Sequence, residues 1–146
     1  MNLNELYSQA IKDHNLSHHN KHTLENASLE MPGRNPSCGD EITLFIKLED
    51  GIIADASFTG VGCAISQASV SIMIDLVKGK TPQEAKELCE LFLRMIRHST
   101  LTEAELEKLD EAVALSNVSS MPARVKCATM PWHTLEVALD TANERH

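Results

Sequence analysis

The sequence predicts an α+β fold, a small three-stranded antiparallel sheet covered by helices with a helical C-terminal half, and three observations carry that reading. Residues 41–49 alternate Ile42, Leu44, Ile46 and Leu48 with polar or mixed positions, the period of a half-buried strand. Asp50-Gly51 joins this run to residues 52–58 with the chemistry of a tight hairpin turn. Downstream, Thr81-Pro82-Gln83-Glu84 and Thr102-Glu103-Ala104-Glu105 are capping boxes that open helices, the first with proline at the first helical position. Strands first and helices after is the α+β order.

The elements follow in turn. Leu3, Leu6, Tyr7, Ala10 and Ile11 recur at helical spacing, which predicts a short amphipathic helix from Leu3 to about Asp13. The polar run from His14 to His22 ends it. A segment near Thr23 to Leu29 is expected to add the third antiparallel strand ahead of the hairpin. A helix is expected from Cys63 to about Val77, stopped where Gly79 supplies a left-handed cap. The capping boxes open helices over residues 82–96 and 103–115. A final amphipathic stretch carries Trp132, Leu135, Val137, Ala138 and Leu139, with Pro131 expected in its first turn or at a kink.

At 146 residues, 42% hydrophobic and 23% charged, the chain fits one domain spanning 1–146 with a core of its own. No internal repeat or low-complexity tract interrupts it. Lysine and arginine total 13 against 21 acids, a formal charge of −8, which disfavours any surface whose affinity would come from neutralising nucleic-acid phosphates. No stretch approaches the ~20 apolar residues needed to span a membrane, and Met1 to Glu5 lacks a basic region leading into an apolar run. A cytoplasmic location is therefore expected. In that setting four cysteines point to metal binding or catalysis rather than a disulfide framework, and the absence of Cys-x-x-Cys weakens zinc-ribbon and thioredoxin-like readings.

Three of those cysteines sit in distinctive settings: Pro36-Ser37-Cys38-Gly39-Asp40, Gly60-Val61-Gly62-Cys63 and Arg124-Val125-Lys126-Cys127. A borderline-soft ion such as Zn²⁺ prefers thiolate sulfur, and four donors close a tetrahedron. Cys38, Asp40, Cys63 and Cys127 supply four. Gly39 lets the Cys-x-Asp backbone bend so that both side chains reach one point. Cys63 follows a glycine turn and opens a helix, whose free N–H groups should lower the thiol pKa. Cys89 lies within the helical run Glu87-Leu88-Cys89-Glu90-Leu91-Phe92, where a small buried hydrophobe suffices, and is read as structural. His14, His18, His19 and His22 are read as a solvated, mobile loop rather than a second metal site, and His133 as a helix-surface residue near the last motif.

With Cys-Gly-Asp, Gly-x-Gly-Cys-Ala and the late cysteine, the chain resembles the IscU/SufU family of iron–sulfur cluster assembly proteins from the Asp13-His14 region to Trp132. It looks like the SufU branch, because Lys126 stands where the IscU branch carries a histidine before its last cysteine, and the stretch between Cys63 and Cys127 is longer. The resemblance implies a zinc-dependent sulfur acceptor, a possible zinc-dependent sulfurtransferase, working with a SufS-like pyridoxal-phosphate cysteine desulfurase. Cys38 would be the acceptor. A histidine of the desulfurase would take the vacated metal position, and Arg124 would stand beside the site and meet Cys38 when it leaves the metal. The alternative is a scaffold on which the same four residues hold a nascent [2Fe–2S] cluster, labile enough to pass to downstream assembly proteins. A purely structural zinc module is the weaker reading, because a domain of this size with a hairpin and capped helices does not need metal to fold.

Overall fold

In the computed structural model residues 3–97 and 100–144 are described, with side chains over 9–97 and 100–143. The chain runs α1 (Leu3–Ser17), β1 (Leu29–Asn35), β2 (Asp40–Glu49), β3 (Ile52–Val61), α2 (Ala64–Val77), α3 (Pro82–Ile96), α4 (Glu103–Leu109), a 3₁₀ segment (Asp110–Ser120) and α5 (Pro122–Glu144). The three strands form an antiparallel meander in the order β1-β2-β3, and the α+β architecture expected from the sequence is observed. Asp50 and Gly51 both take positive φ, +55° and +79°, as the hairpin turn between β2 and β3 requires. Among the described residues no helix is long and apolar enough to cross a membrane.

The sheet buries Ile42, Leu44 and Ile46 of β2 with Ile53, Ala56 and Phe58 of β3, and the helices cover that face. At the centre runs α2, nearly all of whose inward positions are small or aliphatic: Ser66, Ala68, Ser69, Val70, Ile72, Met73 and Ile74 are all buried. Trp132 of α5 is wholly buried and stacks on Phe92 of α3, ring centroids 4.1 Å apart and planes 9° from parallel. Its indole N–H donates to Ser69 Oγ at 3.0 Å, and Ser69 donates in turn to the Ala128 carbonyl at 2.6 Å. One polar relay thus sets α2 against the part of α5 that carries Cys127.

Four elements differ from expectation. The third strand is Leu29–Asn35, not residues 23–29. Pro32-Gly33 argues against a strand in the sequence, but β1 is an edge, where proline's missing donor costs no ladder bond. Gly33 is needed there because a Cβ would meet Thr134 Oγ1 and stand 2.9 Å from Met130 Sδ. The helix expected to stop near Asp13 runs a turn further, to Ser17, and His18 closes it at φ +53°, with no glycine to announce the end. Side chains of its first residues lie outside those described.

The helix expected over 103–115 breaks at Leu109, where Asp110 takes φ +46°, and continues as 3₁₀ to Ser120. Leu109, Ala112, Leu115 and Val118 are buried three residues apart, the period of a 3₁₀ helix, with Ala114 buried between them. The last helix starts at Pro122, well ahead of Trp132, so Pro131 is interior rather than in the first turn. Proline has no N–H, and the Cys127 carbonyl four residues back therefore has no helical donor.

Gly60 brings the end of β3 against the start of β2. It lies opposite Ile42 at φ +131°, and a Cβ would run into the Glu41 carbonyl and come 2.7 Å from Ile42 Cα. Gly60→Ala should cost about 2–4 kcal/mol in urea unfolding, from strain at a left-handed position plus backbone displacement. A cost below ~1 kcal/mol would show that the strand pair yields there.

Candidate metal centre

Local chain geometry brings the candidate residues together from four directions. The β1–β2 turn, Pro36 to Gly39, carries Cys38, and Gly39 takes φ +71°. The sequence places Asp40 with Cys38 in the loop entering the hairpin, but it is instead the first residue of β2, paired with Asn35 at the end of β1. Because Glu41 pairs with Val61, the start of β2 lies beside Gly62 and Cys63. Cys63 is the N-cap of α2, its sulfur accepting from the Ser66 N–H at 3.5 Å. Cys127 projects from the second turn of α5.

The donor atoms of Cys38, Asp40 and Cys127 all lie within 4.8 Å of one another. Cys127 Sγ is 3.1 Å from Cys38 Sγ, and both cysteines are free thiols. Cys63 stands just outside this tight trio but is tied to it through its backbone N–H, which donates to Asp40 Oδ1 at 2.9 Å. Cys127 and Asp40 are buried, whereas Cys38 and Cys63 are half-buried, so the centre opens on the side of the turn and the α2 N-terminus. Cys89 is buried in α3, away from the group, as expected.

Asp40 is the anchor. Its Oδ1 accepts from the Cys63 backbone N–H at 2.9 Å and from the Ser66 hydroxyl at 3.1 Å, and its Oδ2 from the Asn35 amide at 3.2 Å. Burial alone would raise the carboxyl pKa, but the bonds from Cys63, Cys127, Asn35 and Ser66 together hold it below the usual value. Gly62 makes room: a Cβ there would collide with Ser66 Oγ and come 2.6 Å from Asp40 Oδ1.

The three thiols are not equivalent. For Cys63 burial again acts upward, yet the Ser66 N–H, the Cys127 thiol and the Ser66 hydroxyl outweigh it and lower the pKa, the direction the helix N-terminus implies. Cys127 is raised, first by burial and then because the acceptors around it, Cys38, Cys63 and Asp40, favour the protonated thiol. Arg124, one turn before Cys127 and exposed, has its pKa raised by a hydrogen bond to Cys127 and by the negative charge of Cys63, Cys127 and Cys38. Arg124 is thus the cationic side chain whose titration the three cysteines influence. Lys126 and His133 lie on the exposed face of α5, His133 Nδ1 3.3 Å from Glu136, and line a groove with Asn35 and Pro36.

Asn35 and Ser66 were not singled out by the sequence. Asn35 Nδ2 reaches both Asp40 and, at 3.5 Å, Cys127 Sγ, and is 4% exposed. Ser66 could have been found, since the third residue after a helix N-cap is where a side chain turns back to the cap. Asn35 had only an Asn-Pro turn signal, which says nothing about what the amide touches. The expectation that the histidine run is solvated and mobile fails for His14, which is 7% exposed and bonds Ser71 and Glu111.

The family model for the NifU-like N-terminal domain matches residues 6–146, and the chain belongs to that family. It is 42% identical over 134 residues to the iron–sulfur cluster assembly scaffold protein IscU of Thermotoga maritima, covering 92% of each. It is equally 42% identical over 135 residues to the zinc-dependent sulfurtransferase SufU of Bacillus subtilis, covering 92% of this chain and 90% of that one. A crystal structure described as a SUF-system iron–sulfur cluster assembly scaffold of Fervidobacterium islandicum superposes with TM-score 0.84 at 38% identity, over 94% of this chain and 99% of that one.

In metal-free protein, alkylation of Cys63 should outpace that of Cys127 and Cys89, whose thiols are held up by burial. A lowered pKa keeps Cys63 more thiolate than an ordinary cysteine near neutrality, and that excess fades as pH falls through its folded value. Timed iodoacetamide labelling with peptide mass spectrometry reads the order, and faster modification of Cys127 would contradict it.

Proposed function

We propose that this protein is an iron–sulfur cluster assembly protein of the cytoplasm that accepts persulfide sulfur from a cysteine desulfurase, using a zinc centre of Cys38, Asp40, Cys63 and Cys127. The observation that carries the reading is the convergence of Cys38, Asp40 and Cys127 beside Cys63. The donor set fits a borderline-soft ion, since thiolate dominates and one carboxylate completes four ligands. Such an ion would hold the thiolates deprotonated without redox chemistry of its own. The likeness to the Bacillus subtilis zinc-dependent sulfurtransferase supports this assignment, and a SufS-like enzyme is the partner we infer.

Cys38 is the acceptor. It lies on a four-residue turn, half-buried, with its sulfur resting 3.7 Å from the Ala123 carbonyl, whereas Cys63 is fixed as a helix cap and Cys127 is buried within α5. In the transfer, Cys38 Sγ attacks the outer sulfur of the desulfurase persulfide, a new S–S bond forms, the donor S–S bond breaks, and the desulfurase cysteine leaves as thiolate. The sulfane sulfur keeps its oxidation state, so no external oxidant is needed. Arg124 stands where it can hold Cys38 as thiolate during the attack.

The second reading, a scaffold for a [2Fe–2S] cluster, draws on the equal identity to the Thermotoga maritima scaffold protein. There the cluster is cargo passed to downstream assembly proteins, and the same four residues would hold it.

Single-turnover mixing with persulfidated desulfurase, followed by alkylation and mass spectrometry, separates these. Persulfide should appear on Cys38, and Cys38→Ser should abolish desulfurase stimulation while Cys89→Ser leaves it near the parent level. Arg124→Ala should fall between. Persulfide on Cys63 or Cys127 with Cys38→Ser still active overturns the assignment. A brown protein that shows no stimulation favours the scaffold.

Asp40→Ala should lower zinc retention against a chelator and lengthen the lifetime of any bound cluster in air, because the hard oxygen is the exchangeable donor of a thiolate set. An unchanged cluster lifetime, followed by visible absorption, would remove that role from Asp40.

A further inference from the structure

We propose that His14, His19 and Asp75, with Glu111 at the rim, form a second site for a divalent first-row metal ion such as Zn²⁺, independent of the thiolate centre. The ligating atoms of His14, His19 and Asp75 all lie within 4.8 Å of one another. They come from the end of α1, the residues just after it and the last turns of α2, and Glu111 comes from the 3₁₀ segment. His14 Nε2 is 3.0 Å from Glu111 Oε2 and 3.8 Å from Asp75 Oδ2, while His19 Nε2 is 3.0 and 3.2 Å from the two Asp75 oxygens. Along α2, Asp75 is twelve residues past Cys63, about 18 Å at helical rise, so the two centres share a helix but no ligand.

The surroundings hold these donors as an outer shell holds metal ligands. His14 is fixed by Ser71 Oγ, 2.7 Å from Nδ1, which leaves Nε2 turned to the carboxylates. Asn20, 1% exposed, donates to Asp75 Oδ1 at 2.9 Å and to the Ser71 carbonyl at 3.0 Å. His19 is held in the same way: the Ser17 hydroxyl lies 2.6 Å from its Nδ1, which leaves Nε2 turned to both Asp75 oxygens. Both imidazoles thus present Nε2 to the carboxylates, each fixed at Nδ1 by a serine of its own.

A cation would take the place of the protons that the two Nε2 atoms otherwise share with Asp75 and Glu111. Two imidazoles and a carboxylate are the ligands of zinc and its neighbours rather than of calcium or magnesium. There is also room, since His14, Asp75 and Glu111 line a cleft of about 170 Å³ together with Lys80 and Asp110. An ion seated here would clasp α1 to α2 and to the 3₁₀ segment.

The full chain, first loaded with one equivalent of zinc, is titrated with further Zn²⁺ and its bound metal counted by native mass spectrometry. The parent should take up a second ion that raises its melting temperature, and Cys38→Ser should still show it. His19→Ala and Asp75→Asn, changes at side chains 45% and 41% exposed, should weaken the second ion at least 10- to 100-fold and leave the first in place. With Co²⁺ as the probe, the second equivalent should add ligand-field absorption without thiolate-to-cobalt charge transfer, a readout on the parent that holds even if a variant misfolds. No second equivalent, one that survives both substitutions, or one that carries thiolate charge transfer would each overturn the proposal.

Discussion

The carboxylate of Asp40 is the constraint on which the rest of the centre depends. It is the first residue of β2, yet its oxygens collect the Cys63 N–H, the Ser66 hydroxyl and the Asn35 amide, so one side chain ties the ends of β1 and β3 to the start of α2. Remove those donors and a buried anion would be left uncompensated, an arrangement that costs several kcal/mol. The strand register makes the gathering possible, since Glu41 opposite Val61 puts Asp40 beside Gly62. Gly60 and Gly62 are small for the same reason: side chains at either would occupy the space through which β2, β3 and Asp40 meet.

Much of this was legible in the sequence because the signals were local. The Asp50-Gly51 turn, the two capping boxes and the Cys63 N-cap each depend on a few adjacent residues, and each formed where expected. The misplacements share a cause, in that tertiary packing outweighed local preference. Pro32 hides an edge strand because only the finished sheet shows that its donor is not needed. The stretch after Leu109 winds as 3₁₀ with Ala112, Leu115 and Val118 inward at every third position and Ala114 buried beside them, a spacing that also fits loosely within an amphipathic α-helix until burial is known.

The candidate site shows the same division. Cys38, Asp40, Cys63 and Cys127 could be named from residue type and setting, because thiolates beside glycines are uncommon outside chemistry. Asn35 could not, since its role depends on β1 lying between Asp40 and Cys127, a relation fixed by the meander and by where α5 crosses it. His14 was misjudged for a parallel reason. Polar residues around it suggest a loop, whereas its ring is buried against Ser71 of α2, and burial of a polar ring can be read only from its partners.

The arrangement also bears on how, under the proposed function, three similar sulfurs would have different duties. A metal ligand set needs all of them as thiolates, but attack on a persulfide needs one that can leave its place without unravelling the fold. Cys63 cannot leave, because its sulfur caps α2 and its N–H holds Asp40. Cys127 is closed in by α5 and by the relay from Trp132 through Ser69 to the Ala128 carbonyl. Cys38 has neither tie, being carried on a short turn next to a glycine at φ +71°, with its sulfur against the Ala123 carbonyl and the Cys127 sulfur. Under the proposed sulfur-acceptor role, rigidity around two sulfurs and freedom at the third would let one centre keep its other thiolates while one of them attacks a partner's persulfide.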